Sequence, residues 1–121
     1  MRAIEFYRLE SGRSPIEEFL DSLNAKQARK ITWVMGLVEE FERVPSQYLQ
    51  KMENTDDLWE IRVQFGGNIF RFLGFFVGGK LFLVAHGFAK KAKKTHQQDI
   101  DLAESRKREY QTRKGVKKWV I

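Results

Sequence analysis

The stretch LWEIRVQFGGNIFRFLGFFVGGKLFLVAHGF, Leu58 to Phe88, decides the fold, because it holds three apolar runs punctuated by two glycine pairs, Gly66-Gly67 and Gly78-Gly79. A two-residue glycine turn between apolar, β-branched and aromatic runs is the strongest local signal for a tight hairpin. The segment therefore predicts three consecutive antiparallel strands. With Phe65 facing Asn68, Val77 facing Lys80 and no bulge, counting back from the turns sets Arg62 opposite Arg71 and Arg71 opposite His86. Opposed side chains in a ladder stand ~5 Å apart at Cβ, and like charges placed there repel. An anion such as a phosphate gives the row a purpose, since guanidinium groups grip it in a bidentate fork.

Successive strand side chains point to opposite faces. One face then collects Trp59, Ile61, Val63, Phe65, Phe70, Phe72, Phe76, Leu81 and Leu83, a core face awaiting helices. The other carries Glu60, Arg62, Gln64, Arg71 and His86, together with Leu73, Phe75, Val77, Phe82, Val84 and Phe88. A polar end beside an apolar floor suits a binding site or a partner groove better than bare solvent.

Upstream, Ile4 to Arg8 is partly alternating and aromatic, and predicts a first strand. Ser14-Pro15-Ile16-Glu17 is a helix start, with Ser as N-cap, Pro in the first turn and Glu three residues after the cap. Asn24 with Gln27 repeats that pattern. Ala28, Ile31, Val34, Val38 and Phe41 then recur at helical spacing until Val44-Pro45 ends the helix. Residues 46–57 form a polar connection containing Lys51. After the strands, Thr95 with Gln98 caps a charged helix over 96–113, lightly apolar through Ile100, Ala103 and Tyr110 and ended by Gly115. The order β-α-α-β-β-β-α predicts a small α+β domain over residues 1–113, with a mostly antiparallel sheet, two N-terminal helices on one face, a C-terminal helix, and a short basic tail at 114–121. Two intervening helices allow the first strand to pair in parallel with a later one.

At 121 residues, with 42% hydrophobic and 13% aromatic side chains, the chain can bury one ordinary core. It has no cysteine, which removes disulfides and thiolate metal sites and suits a reducing cytoplasm. The N-terminus does not read as a signal peptide and no apolar run approaches a membrane span, so a cytoplasmic protein is expected. The formal charge of +6 is unevenly placed. Residues 1–88 hold 11 Lys+Arg against 12 Asp+Glu, whereas residues 89–121 hold 11 against 4. A basic last quarter favours a polyanion partner, nucleic acid ahead of membrane, because no basic helix here has a broad insertion face.

Were that nucleic acid an RNA, its cleavage through its own 2′-OH would need a base, an acid for the leaving 5′-oxygen, and positive charge where the phosphorane develops. Arg62 and Arg71 can supply the charge, and His86, the only strand histidine, can carry a proton. Glu60, diagonal to Arg71 in this register, is the alternative partner for that arginine. Lys90, Lys91, Lys93 and Lys94 at the exit of the last strand, with Lys51, are candidate contacts to backbone phosphates. Trp33 and Trp59 fit the core, while Phe75 and Phe88 have the parity to stack a base or anchor a partner. Two histidines ten residues apart without a carboxylate constellation do not make a metal site, and no cofactor is expected.

Glu5-Phe6-Tyr7, Gly12-Arg13-Ser14-Pro15 followed by Glu18-Phe19-Leu20-Asp21-Ser22-Leu23, Leu58-Trp59-Glu60-Ile61-Arg62-Val63, Phe70-Arg71-Phe72, and His86-Gly87-Phe88-Ala89-Lys90-Lys91 with Lys94-Thr95 occur in that order. Together they resemble the phage-derived HigB-like branch of the RelE/ParE toxin superfamily, over about residues 4–112. The resemblance implies the toxin of a type II toxin-antitoxin pair, a metal-independent endoribonuclease that cuts mRNA on the ribosome, restrained by a helix-turn-helix antitoxin of the HigA type. It implies that Arg62 and Arg71 hold the scissile phosphate, that Lys90 or Lys91 is the basic residue after the last strand, and that His86 lies near positions used in proton transfer. Glu60 stands where some ribonuclease members place a basic residue. Two alternatives stay open: a non-catalytic RNA or ribosome binder that blocks translation by occupancy, and a ParE-like inhibitor of DNA gyrase.

Overall fold

The computed structural model describes residues 1–90 and 97–120, with side chains described as far as Arg113. The chain runs β1 (Ala3–Phe6), α1 (Pro15–Asp21), α2 (Ala25–Glu40), β2 (Leu49–Lys51), β3 (Trp59–Phe65), β4 (Asn68–Val77), β5 (Leu81–Lys90) and α3 (Gln97–Val120). Five strands form one sheet in the order β1-β5-β4-β3-β2. The expected α+β class holds, β1 pairs in parallel with β5 after a two-helix crossover, and the three long strands are antiparallel as the glycine pairs implied. The arrangement is consistent with a RelE-like fold. Among the described residues no helix is long and apolar enough to cross a membrane.

The helix starts follow local chemistry. Ser14 Oγ accepts the Glu17 amide at 3.2 Å ahead of Pro15, and Asn24 and Gln27 form a reciprocal capping box at 2.9 and 3.1 Å. Ile31, Val34, Met35 and Val38 turn the inner face of α2 onto the sheet. Phe41, expected to close that stripe, is instead the C-cap residue and half exposed. The C-terminal carbonyls of α2 are met by Arg2, whose guanidinium donates to Val38 O at 2.6 Å and to Phe41 O and Glu42 O at 3.1 Å. This ties β1 to the end of α2.

Three features depart from expectation. The supposed loop 46–57 contributes β2, a three-residue edge strand too short to show a period. Helix α3 continues past Gly115, where a single glycine costs only ~1 kcal/mol relative to alanine and does not by itself stop a helix. The consequential departure is in β5. Val77 pairs with Leu81, so the second turn holds Gly78, Gly79 and Lys80 rather than two residues, and Ala85 then bulges out between Val84, opposite Gly74, and His86, opposite Leu73. Each shift reverses side-chain parity and the two together restore it.

Between the turn and the bulge the faces are therefore exchanged. Phe82 and Val84 lie on the side of α1 and α2, where Phe82 meets Phe76 at 5.0 Å between ring centroids. Leu81 and Leu83 lie on the opposite side with Phe75 and Val77. That opposite side is no open floor. Helix α3 packs across it, with Ala103 fully buried and Tyr110 edge-on to Phe75 at 5.7 Å, so Leu73, Phe75 and Leu83 are core residues of a second layer. The sheet is thus covered on both faces.

Candidate active site

The two ladders bring nine residues onto the α3 face in three rows. Gln64, Ile69 and Lys90 make the first, Arg62, Arg71 and Phe88 the second, and Glu60, Leu73 and His86 the third. Arg62 stands opposite Arg71 as expected. Arg71 does not stand opposite His86, because the bulge at Ala85 and the longer turn set Phe88 there and move His86 one row along. All three candidates still share one face.

They differ sharply in exposure. Arg71 is 2% exposed and its Nη1 donates to Glu60 Oε2 at 2.9 Å, with Glu60 itself buried. The diagonal ion pair that sequence reasoning kept as the alternative is formed. Arg62 is half buried, and its guanidinium makes no hydrogen bond or ion pair among the described residues. It opens into a groove of 330 Å³ lined also by Lys30, Gln47, Tyr48 and Gln64. Of two opposed arginines, one is neutralised inside and the other remains a free cation at the rim.

His86 is held by α3. Its Nε2 lies 2.8 Å from Asp99 Oδ1, and its ring stacks on Phe88 with centroids 4.9 Å apart. Lys90 Nζ lies 3.6 Å from the other Asp99 oxygen. Burial pushes the His86 pKa below its ordinary value, with Arg106 and Lys90 adding to that push, while the Asp99 carboxylate pulls it back only in part. A neutral imidazole is the result. Because a carboxylate only accepts, the Nε2 facing it carries the proton and Nδ1 keeps a lone pair, the tautomer a general base requires.

Asp99 was not singled out in the sequence, although its place as the acid in the first turn of α3 is a readable signal. A second network was also missed. Tyr7 donates to Glu109 Oε1 and accepts from Arg113 at 3.4 Å, Arg113 pairs with Glu109, and the Arg106 and Arg113 guanidiniums lie over the Tyr7 ring at 5.4 Å. Burial, then the Glu109 hydrogen bond, raises the Tyr7 pKa. Arg106 reaches beyond this network to donate to Ala85 O at 2.9 Å, so the carbonyl of the bulge is satisfied from α3.

Several expected contacts fall elsewhere. Lys51 shares parity with Leu49, on the side away from Arg62, and pairs with Asp57 at 3.3 Å. Phe75 and Phe88 are buried, Phe75 against Tyr110 and Phe88 against His86. Trp59 packs partly buried against Phe76, but Trp33, assigned to the core, is 52% exposed. Lys91, Lys93, Lys94 and the cap at Thr95 lie outside the described residues. No group of three or more His, Asp or Glu side chains suited to a metal ion occurs among the described residues.

The family model described as phage-derived protein Gp49-like (DUF891) matches residues 18–108, from within α1 through β2, β3, β4 and β5 and into α3. No curated protein matches the chain. The match covers well over half of the sequence, including every residue of the three rows, and the chain belongs to the phage-derived Gp49-like family, a family of RelE/HigB-like toxins.

Proposed function

We propose that this protein is the toxin of a type II toxin-antitoxin pair and a metal-independent endoribonuclease that cuts mRNA on the ribosome. The observation that carries the reading is the His86–Asp99 pair at 2.8 Å, on the same sheet face as the unpaired Arg62 and beside Lys90. His86 Nδ1 takes the proton of a ribose 2′-OH, whose oxygen attacks the adjacent phosphorus. The bond from phosphorus to the 5′-oxygen breaks, leaving a 2′,3′-cyclic phosphate and, after protonation, a 5′-hydroxyl. Arg62 and Lys90 stabilise the charge that builds on the phosphoryl oxygens, and Lys91 and the following Lys93 and Lys94 supply further cations and the proton for the leaving oxygen. Arg71 acts as a positioning residue: with Glu60 it fixes the middle row beneath Arg62. A helix-turn-helix antitoxin of the HigA type is the partner. Because α3 already covers the apolar floor, that partner engages the basic rim or the helices rather than the floor.

The test is the state of mRNA in translating cells. Wild-type expression is expected to give new RNA ends inside coding regions, and His86→Gln or Arg62→Ala, each about 100-fold slower, to give none. Growth arrest with intact message rejects the nuclease. One observation favours the occupancy reading as second choice: Arg71, a cation the chemistry would use, is committed to Glu60. In that case His86→Gln would stay toxic.

A further inference from the structure

Trp33 and, Arg62 apart, the groove beside it take no part in the reaction above. Trp33 projects from α2 edge-on to Tyr48, with ring centroids 5.9 Å apart, and Lys30 Nζ stands 5.0 Å from the Trp33 ring centre. Tyr48 and Lys30 line the groove that also holds Gln47, Arg62 and Gln64. No carboxylate lines it. Among the described residues the polar ends of those five side chains make no hydrogen bond or ion pair within the protein. Among the other described cations near the site, Arg71 pairs with Glu60, Lys90 lies 3.6 Å from Asp99 and Arg106 donates to Ala85 O.

Two cations, two amides with both donor and acceptor, and two aromatic rings at a concave, uncompensated site form the composition that single-stranded nucleic acid requires. Cations follow the phosphates, rings stack bases, and amides meet base edges, whereas a duplex hides those edges. The groove volume is at the low end of ligand-sized cavities, roughly 300 to 1,000 Å³, which suits one nucleotide of a longer strand. Arg62 belongs both to this groove and to the three-row face, so a strand meeting Arg62 at one phosphate continues from the sheet onto α2.

We infer that Lys30, Trp33, Gln47, Tyr48 and Gln64 form a subsite for a nucleotide flanking the scissile phosphate of single-stranded RNA. Lys30 holds a phosphate, Trp33 and Tyr48 offer the stacking faces, and Gln47 and Gln64 face the base edge. The inference takes RNA as ligand from the reading above, but it concerns binding and is measured without cleavage.

The experiment uses the full chain and a fluorescein-labelled single-stranded RNA decamer carrying 4-thiouridine, with a duplex of the same sequence as control. Lys30→Ala combined with Trp33→Ala is expected to weaken binding of the single strand about tenfold or more and to lower the slope of log affinity against log salt by about one, with the duplex little affected. Photocrosslinks to the wild type are expected on the peptides that carry Trp33 or Tyr48. Both residues replaced are on the protein surface, and an unchanged thermal midpoint verifies the fold of the variant. Equal affinity and slope in the variant, crosslinks confined to other peptides, or no binding by the wild type overturns the subsite. If the variant keeps its RNA affinity but loses the antitoxin, the surface belongs to a protein partner and the inference fails. Groove-dependent binding without any cleavage would leave the subsite standing and remove the nuclease. Cleavage and binding both untouched by the double replacement would do the reverse.

Discussion

Arg62 and Arg71 face each other across one ladder and yet play different parts. Removing Arg71 breaks its buried ion pair with Glu60, which costs about 3–5 kcal/mol, so Arg71→Ala is expected to lose stability as well as activity. Replacing both members, Glu60→Leu with Arg71→Met, should return most of that loss in a denaturant titration. Arg62→Ala, at the rim, should stay within about 0.5 kcal/mol of the wild type. His86 has a sign that can be worked out. Its pKa is lower in the folded chain than in the unfolded one, chiefly through burial, so below the ordinary histidine value the unfolded chain binds more protons. Its contribution to stability is present above that value and is lost as pH falls through the folded pKa. The groups facing it are Asp99, Lys90 and Arg106. The thermal midpoint of the wild type should therefore fall more steeply than that of His86→Gln as pH drops from about 6.5. Parallel midpoints would reject the burial account of His86. At this scale the sequence put Arg62, Arg71 and His86 on one sheet face but did not give their exposure, because a strand's parity does not say that a helix from later in the chain packs across that face.

Among the elements, β5 carries most of the difference between reading and structure. Gly74 held the clue. A Cβ there would stand 2.3 Å from Leu83 O and 2.7 Å from the Phe82 ring, so the backbone across from the bulge comes too close for any side chain. A glycine inside an otherwise apolar strand signals a bulge as readily as a weak point, and the uninterrupted parity count passed over it. Gly74→Ala is expected to cost about 3 kcal/mol, readable in urea, and to broaden amide signals along β4 and β5 first. A neutral outcome would mean that the close approach relaxes freely. The glycine pairs and the two helix caps were legible because each rests on a few adjacent residues. Helix α3 was underestimated for a different reason. Its apolar stripe is thin, but Lys107 lies buried with its ammonium over the Phe75 ring at 5.5 Å, so the stems of charged residues supply cover that a hydropathy pattern does not register.

Across the whole molecule, the charge excess of the last quarter is divided between the four lysines at positions 90, 91, 93 and 94 and α3, where seven Lys+Arg stand against four Asp+Glu. Part of it is spent internally, by Lys107 on the Asp56 carbonyl and by Arg106 on Ala85 O, so net charge overstates what remains for a polyanion. The link from Arg106 to Ala85 O spans 21 residues of sequence and holds the bulged peptide next to His86, which meets Asp99. During synthesis this carbonyl reaches the outside long before its partner does. A chain stalled ahead of Arg106 is expected to hold β3 and β4 with the end of β5 still protease-sensitive, and a chain stalled well beyond it to protect that end, as limited proteolysis on arrested ribosomes would read. Protection in the shorter chain would break the link. The order of emergence then acts as a delay: the bulge at Ala85 stays without its clamp until Arg106 has left the ribosome.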